Sequence, residues 1–389
     1  MRTGGSYDVA VVGVGAMGAA ACAAIAARGA RVLGLERFSI AHELGSSGGD
    51  TRLFRTAYFE HPDYLPLLVR AREGWASLEA ATGRTVFHET GVLYAGRPDG
   101  ELIRNTEASA RAYDVRIEDV GDVSRRFPMF RFPADFRVLL EPEGGLVLSL
   151  RAIGAFAGAA RARGATLREG TRVLRWAEEP DRIVVETDAG TYAAGHLVLA
   201  PGAWTVDLVP ELADRLRVTR QVLGWVRPDA PAAFAPPAFP SWAIEDGRDG
   251  LYYGFPYIAD ASPDPDRQGL KVGRHAPGPV ARPDAIDRVP GPADEGDFRP
   301  GVERYLPSAA GPTLCVHVCM YTNTPDGHFL VGPLPGHARV SIAAGFCGHG
   351  FKFAPVIGEA LADLTLEGRT GLPIGFLDPG RDFTTFDDG

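Results

Sequence analysis

Little in this chain of 389 residues points to a disulfide-stapled, basic or membrane-bound protein. It has only four cysteines, Cys22, Cys315, Cys319 and Cys347, too few and too scattered for a disulfide framework at this length. They fit a reducing compartment. Positive charge is in deficit, with 40 Lys and Arg against 49 Asp and Glu and a formal net charge of -9, which argues against nucleic acid or an anionic membrane as the main partner. There is no internal repeat and no lipidation signal, and the C-terminal Asp387-Asp-Gly389 is not a peroxisomal address. The uncharged run from Val9 to Ala27 is rich in Ala and Gly, and only Arg2 precedes it as a basic residue. It therefore reads as the core of a cytosolic protein rather than a signal or membrane segment. The length suggests two or three domains.

The stretch from Tyr7 to Glu36 organises the chain. An apolar run, Asp8 to Val12, leads into Gly13-Val-Gly15-Ala16-Met17-Gly18, an Ala-rich segment to Arg28, and Arg31-Val-Leu-Gly-Leu-Glu36. This order predicts strand, glycine turn, helix, strand. Gly13 makes the tight turn, Gly15 lets a pyrophosphate approach the backbone, and Gly18 lets the helix pack on its strand. The helix N-terminus offers free N–H groups and a positive dipole end. Glu36 stands where a carboxylate accepts the ribose hydroxyls of an adenosine. The motif predicts dinucleotide binding and leaves flavin and nicotinamide both open.

A small-residue cluster follows, Gly45-Ser46-Ser47-Gly48-Gly49, then Asp50-Thr51-Arg52-Leu-Phe-Arg55. Such a loop folds tightly against something large and flat. If helical, Arg52 and Arg55 share a face, and they are candidates for anion or flavin contact. Tyr64 to Ala81 reads as an amphipathic helix, Val92 to Ala95 as a strand, Glu101 to Asp114 as a helix and Phe132 to Gly145 as a connecting region. A helix from Leu148 to Arg163 leads to short strands at Thr171–Trp176 and Ile183–Thr187, a meander inside the dinucleotide fold. The buried strand Leu197 to Ala200 runs into Pro201-Gly202-Ala-Trp204. That fits either a backbone brought close to a flavin or a core strand followed by a loop. Arg217–Arg227, a hairpin of Trp242–Glu245 with Gly250–Pro256, and Lys271–His275 read as further strands, and Ala259 to Gln268 as a solvated loop.

Near the C-terminus, Leu314 to Thr324 reads as a strand with Cys315, His317 and Cys319 on one face. At about 3.3 Å per residue, sulfurs four residues apart are roughly 13 Å apart, too far to share a metal ion. No metal site is expected. Val340 to Gly345 predicts a strand, Phe346-Cys347-Gly348-His349-Gly350-Phe351-Lys352 a glycine turn, and Pro355 to Thr365 a helix. Lys352 in that apolar turn either pairs with a substrate carboxylate or snorkels to solvent.

Six ordered segments together resemble the monomeric sarcosine oxidase and N-methyltryptophan oxidase family of flavin amine oxidases, over nearly the whole chain. They are Gly13 to Gly18, Gly49-Asp-Thr-Arg52 through Arg55, Tyr252-Tyr253-Gly-Phe-Pro256, Gly269-Leu-Lys271-Val-Gly-Arg-His275, Cys319-Met-Tyr321-Thr-Asn-Thr-Pro-Asp326 and Gly348-His-Gly-Phe-Lys-Phe353. The resemblance implies an α/β fold, with a discontinuous FAD-binding Rossmann-like domain of the glutathione-reductase type (1–95, 148–219, 320–375). An interleaved α+β substrate domain carries a large mixed or antiparallel sheet (96–147, 220–319, 376–389). It implies that Cys319 attaches covalently to the flavin, that Arg55 and Lys352 clamp the substrate carboxylate, and that Lys271 activates oxygen. His275, Tyr253 and Tyr321 are implied to line the substrate cavity. FAD contacts are implied for Gly13, Gly15, Ala16, Met17, Gly18, Glu36, Arg37, Ser46, Ser47, Gly49, Thr51, Arg52, Val173, Gly202, Trp204, Gly345, Gly348, His349, Gly350, Phe351 and Lys352.

The implied reaction is oxidation of a secondary amino acid, sarcosine or another N-methyl amino acid. Hydride passes to FAD and O2 is reduced to H2O2, while the imine hydrolyses to formaldehyde and an amino acid. The alternatives are an N-methyltryptophan, proline or pipecolate type of oxidase, a natural-product tailoring amine oxidase, or a flavin dehydrogenase using another acceptor. A cytoplasmic monomer without nucleic-acid or membrane partners is implied. Three departures from the family pattern stand out: Ser47-Gly48 stands where the family commonly has two histidines, the loop between Tyr253 and Lys271 is longer than usual, and Gly327 replaces a common acidic residue.

Overall fold

The computed structural model describes residues 6–382 and 385–386, so Arg2 and the Asp387–Gly389 terminus lie outside the described residues. Strand β1 (Tyr7–Val12), helix α1 (Ala16–Ala27) and strand β2 (Val32–Leu35) form the predicted unit, with β1 and β2 parallel. The Ala-rich α1 has no polar face. It is buried between the helix Ser149–Ala162 and a C-terminal helix, as an all-apolar helix must be.

Strand β3 (Thr51–Phe54) belongs to a three-stranded sheet with Gly145–Leu148 and Phe87–His88. The helical reading of Arg52 and Arg55 is thereby corrected: Arg52 sits on a strand and Arg55 just past its end. β-branched Thr51 and aromatic Phe54 suit the pleat, and both are buried. The long strand β4 (Gly190–Leu199) runs parallel to β1. On its other edge it pairs first with Ile183–Thr187 and then with a parallel C-terminal strand. With Val173–Glu178 antiparallel to Ile183–Thr187, the predicted meander is present.

The second large sheet has eight strands. Its consecutive members near the site are β5 (Arg217–Val226), β6 (Gly250–Gly254), β7 (Leu270–His275) and β8 (Thr313–Asn323), in the spatial order β8-β5-β7-β6. The hairpin of Ser241–Asp246 with β6 is as expected. One element differs from expectation, and another lies in a stretch where no element is predicted. The connecting region hides a strand, Arg137–Glu141, paired with Val92–Gly96. A helix also forms at Pro292–Tyr305, despite Gly296, Pro300 and Gly301 within it, because Phe298, Val302 and Tyr305 are buried on the second sheet.

Strand β9 (Val340–Ala344) returns to the first sheet beside β4, and helix α2 (Ala354–Glu367) packs on α1. A Cβ on Gly358 would lie 2.6 Å from the carbonyl carbon of Ala20, so glycine there permits the close helix contact. No helix among the described residues is long and apolar enough to cross a membrane.

Candidate active site

One cavity of about 360 Å³ runs from the first glycine turn to the second and along the face of the second sheet. At one end Gly13, with φ +84, turns the chain so tightly that an added Cβ would meet the Ala200 carbonyl oxygen at 2.4 Å. Gly15 lines the cavity differently, for nothing lies within 4 Å of the place its Cβ would take. The missing side chain leaves an open cradle at the N-terminus of α1, which fits a pyrophosphate. Glu36, at the end of β2, is 4 % exposed and accepts from the Val14 amide at 2.8 Å and the Phe38 amide at 3.0 Å. Burial works against its carboxylate, but His42 and these two amides hold its pKa below the usual range. The Trp204 ring, which also lines the cavity, has Arg37 at 5.5 Å from its centroid.

At the other end the second glycine turn presses on Tyr321. Gly348, with φ +77, would place a Cβ 2.4 Å from that ring. The turn brings Lys352 into the cavity wall, 4 % exposed, with Nζ donating to the His349 carbonyl at 2.6 Å. Burial and the neighbouring Arg55 charge push the Lys352 pKa down to about 7. Arg55 and Lys352 share one platform, with Cζ of the first 4.5 Å and Nζ of the second 5.0 Å from the Tyr58 ring centroid. The Tyr58 hydroxyl is 2.5 Å from Nδ1 of His349. Arg55 is ion-paired to Glu60, which the sequence reading missed; its only signal was an acid five residues beyond Arg55. Burial opposes the Glu60 carboxylate, yet Arg55 above all keeps its pKa down to about 2. Burial lowers the His275 pKa, and its Nδ1 lies 3.3 Å from the Tyr321 hydroxyl.

Between these ends lie Lys271 of β7 and Cys319 of β8, 4 % and 3 % exposed. Lys271 Nζ donates to the carbonyls of Gly49 at 2.5 Å and Thr51 at 2.7 Å. Burial raises the Cys319 thiol pKa, an effect partly offset by Arg52 and Lys271. Arg52 ties the small-residue loop together by donating to the carbonyls of Ser46 at 2.7 Å and Gly48 at 2.6 Å. Of the residues predicted from the sequence, all line this cavity except Gly18 and Gly49. Gly18 packs against the Gly13 turn, and Gly49 lies beneath Leu223 and Lys271. Besides Glu60, the lining includes Leu53, Phe59, Ala243, Leu251 and Thr322, none of them singled out by the sequence.

Buried polar atoms on this lining lack a hydrogen-bond partner among the described residues: Thr51 Oγ1, Arg55 Nη1, Glu60 Oε2 and Thr322 Oγ1. Together with the Gly15 cradle they fit a long ligand that is polar at intervals, as FAD with a bound amino acid is.

A dinucleotide cradle, a cavity running onto a second sheet and a reactive chamber of buried lysine, cysteine and paired cations define a flavoprotein of the oxidoreductase class. The chain belongs to the family described as FAD dependent oxidoreductase, which matches residues 8–364. It is 40 % identical to the monomeric sarcosine oxidase of Streptomyces avermitilis over 380 residues, covering 97 % of this chain and 98 % of that one. It is 32 % identical to the N-methyl-L-tryptophan oxidase of Salmonella dublin over 370 residues, 94 % of this chain and 95 % of that one. Among solved structures, NikD, an unusual amino acid oxidase essential for nikkomycin biosynthesis, superposes with a TM-score of 0.84 at 30 % identity, covering 97 % of this chain and 98 % of that one.

Proposed function

We propose that the protein oxidises a secondary amino acid, sarcosine or another N-methyl amino acid, with O2 as acceptor and H2O2 as product. The observation that carries this reading is the pair of cations, Arg55 and Lys352, over one tyrosine ring in the wall of the cavity that also holds the glycine cradle. With Lys352 protonated, two cations face one carboxylate, Glu60, and the surplus charge suits a substrate carboxylate. Anchored there, the substrate has its amine end directed by the clamp toward the rest of the chamber, where Tyr253, His275 and Tyr321 limit its motion. Bound FAD would supply the redox chemistry, taking a hydride from the carbon next to nitrogen and passing electrons to oxygen. Lys271 supplies positive charge for oxygen reduction, and water hydrolyses the released imine, giving formaldehyde when the group is N-methyl.

Covalent attachment through Cys319 is part of the proposal, supported by the position of that thiol on the cavity wall beside two cations. So is the division of the chain into a FAD domain around the first sheet and a substrate domain around the second. The four unpaired cysteines support a reducing, cytoplasmic setting, and a monomer is carried over from the resemblance. A peroxide assay with sarcosine, N-methyltryptophan, proline and pipecolate tests the reading. Substrate-dependent bleaching of the flavin without peroxide in air would instead favour a dehydrogenase with another acceptor.

A specific feature favours the bulkier N-methyl substrates. Leu53, Phe59, Ala243 and Leu251 line the cavity and belong to one apolar cluster, so the wall near the clamp offers apolar surface in which Ala243 is the smallest side chain. Ala243→Met enlarges the smallest of these lining side chains. It is expected to lower kcat/KM for N-methyltryptophan by roughly tenfold or more relative to sarcosine; an unchanged ratio removes the apolar subsite.

A further inference from the structure

Two of the three departures from the family pattern meet in space. Arg267, at the end of the long loop, turns inward with a side chain 8 % exposed. Its Nη2 donates to Glu43 Oε2 at 2.6 Å and its Nη1 pairs with Glu43 Oε1, a bidentate contact. Nη1 also lies 3.4 Å from Asp50 Oδ2, and the guanidinium stacks 4.9 Å from the Trp225 ring centroid. Room for this comes from Gly48, where an added Cβ would sit 2.9 Å from the Glu43 carbonyl oxygen and 3.0 Å from His317 Nε2.

Asp50 connects this cluster to Lys271. It is 4 % exposed and holds φ at +64, a conformation that non-glycine residues rarely adopt. The carbonyls on either side of it, Gly49 and Thr51, are the two acceptors of Lys271 Nζ. Fixing Asp50 therefore fixes the lysine. Burial first, then the Arg52 and Arg267 charges, push the Lys271 pKa well below its usual value, opposed by Asp50 and the Cys319 thiol; His317 also faces it, and among these groups only Asp50 is a carboxylate. His317 is kept neutral by burial and by Arg267. Arg267 Nε also lies 3.5 Å from Asp264, a more exposed carboxylate, so Glu43 with its two contacts is the main neutralising partner and leaves Asp50 to balance Lys271; without Glu43, Asp264 offsets Arg267 only in part, and Arg267 competes for Asp50 and repels a protonated Lys271.

We propose that Glu43 and Arg267 are positioning residues for Lys271: together they hold Asp50 and its flanking carbonyls against the ammonium and set the pH range in which Lys271 keeps its proton. This rests on the oxygen-reducing role given to Lys271 above. The two partners act with opposite sign. Glu43→Gln exposes Lys271 to the Arg267 charge and lowers its proton affinity, whereas Arg267→Gln removes that charge and raises it.

Lys271 and Lys352 are the only lysines in the chain, so lysine labelled at 13Cε gives two side-chain signals, assigned with Lys352→Met. The titration of the Lys271 signal, followed from pH 5 to 11 in the FAD-loaded enzyme, is expected to move down by roughly one pH unit in Glu43→Gln and up by a similar amount in Arg267→Gln. It should return toward wild type in the double variant and stay near wild type in Glu43→Asp. The pH dependence of flavin reoxidation by oxygen should move in the same directions, with substrate reduction unchanged. An unmoved Lys271 signal, or displacement in the same direction in both single variants, overturns the proposal. If Arg267→Gln does not fold, Glu43→Gln against Glu43→Asp still decides. Should Lys271→Met leave oxygen reactivity unchanged, the role of Lys271 falls, while the 13C titration independently reports whether the pair sets its charge.

Discussion

Arg55 and Glu60 form an ion pair in the cavity wall in which Arg55 Nη1 and Glu60 Oε2 each remain without a hydrogen-bond partner among the described residues. The pair is thus half satisfied, and a substrate carboxylate can complete the arginine. Arg55→Met removes charge-assisted bonds worth about 1.5–3 kcal/mol, so kcat/KM is expected to fall roughly 10- to 150-fold. Titration of the flavin absorbance with a non-reacting carboxylate should show a matching loss of affinity. Equal binding by wild type and variant would place the carboxylate elsewhere.

The proposed role of Lys352 in holding a carboxylate sets a pH dependence. Its pKa of about 7 means that the ammonium is lost as pH rises through neutrality, and affinity for an inert carboxylate should weaken above about pH 7. For stability the sign is reversed. The folded-state pKa lies below the unfolded one, so the folded protein binds fewer protons between about 7 and 10.5, and stability rises with pH across that window. Lys352→Met is therefore expected to raise Tm most at pH 6, with the gain shrinking toward pH 10. A gain independent of pH would mean that the lysine is not titrating in this range.

Lys271→Met separates the two half-reactions. Anaerobic reduction of the flavin by substrate should proceed near the wild-type rate, whereas reoxidation by oxygen should slow by roughly 10²–10³-fold. Stopped-flow absorbance reads both. Slowing confined to the reductive step would assign Lys271 to substrate binding instead.

Cys319 is the proposed point of covalent flavin attachment. Acid precipitation of the wild-type protein is expected to leave the yellow colour in the pellet, and Cys319→Ala should release it to the supernatant. Colour retained by Cys319→Ala after denaturation would rule out this thiol as the attachment point.

The glycines of the first turn give a contrast between fold and ligand. Gly15→Ala meets no protein atom within 4 Å, so Tm without flavin should stay within about 2 °C while FAD affinity falls. Gly18→Ala places a Cβ 1.8 Å from the Gly13 carbonyl oxygen and is expected to lower Tm by roughly 10 °C or more. Thermal melts with and without FAD check both; a large melting loss in flavin-free Gly15→Ala would contradict the open cradle.

Legibility followed locality. The strand, turn and helix from Tyr7 to Ala27 could be read because the glycine spacing, the apolar runs and Glu36 act within thirty residues through backbone sterics and hydrogen bonding. The helix Pro292–Tyr305 could not, because its glycines and proline argue against helix and only burial of Phe298, Val302 and Tyr305 against the second sheet stabilises it. The strand Arg137–Glu141 was hidden in a proline-rich segment for the same reason. Arg52 and Arg55, plausible neighbours on a helix, lie instead on and beyond a strand set by pairing with Gly145–Leu148.

By itself the sequence determined a strand, glycine turn and helix of the kind that suits a dinucleotide and, through six separated segments, which residues to examine for the chemistry. Only the tertiary structure decided their partners: Glu60 for Arg55, the Tyr58 ring for both cations, and the Gly49 and Thr51 carbonyls for a lysine more than two hundred residues away in the chain. Turns and helix starts are fixed by neighbouring residues. The charge state of a buried lysine depends on what two packed sheets bring within a few ångströms of it.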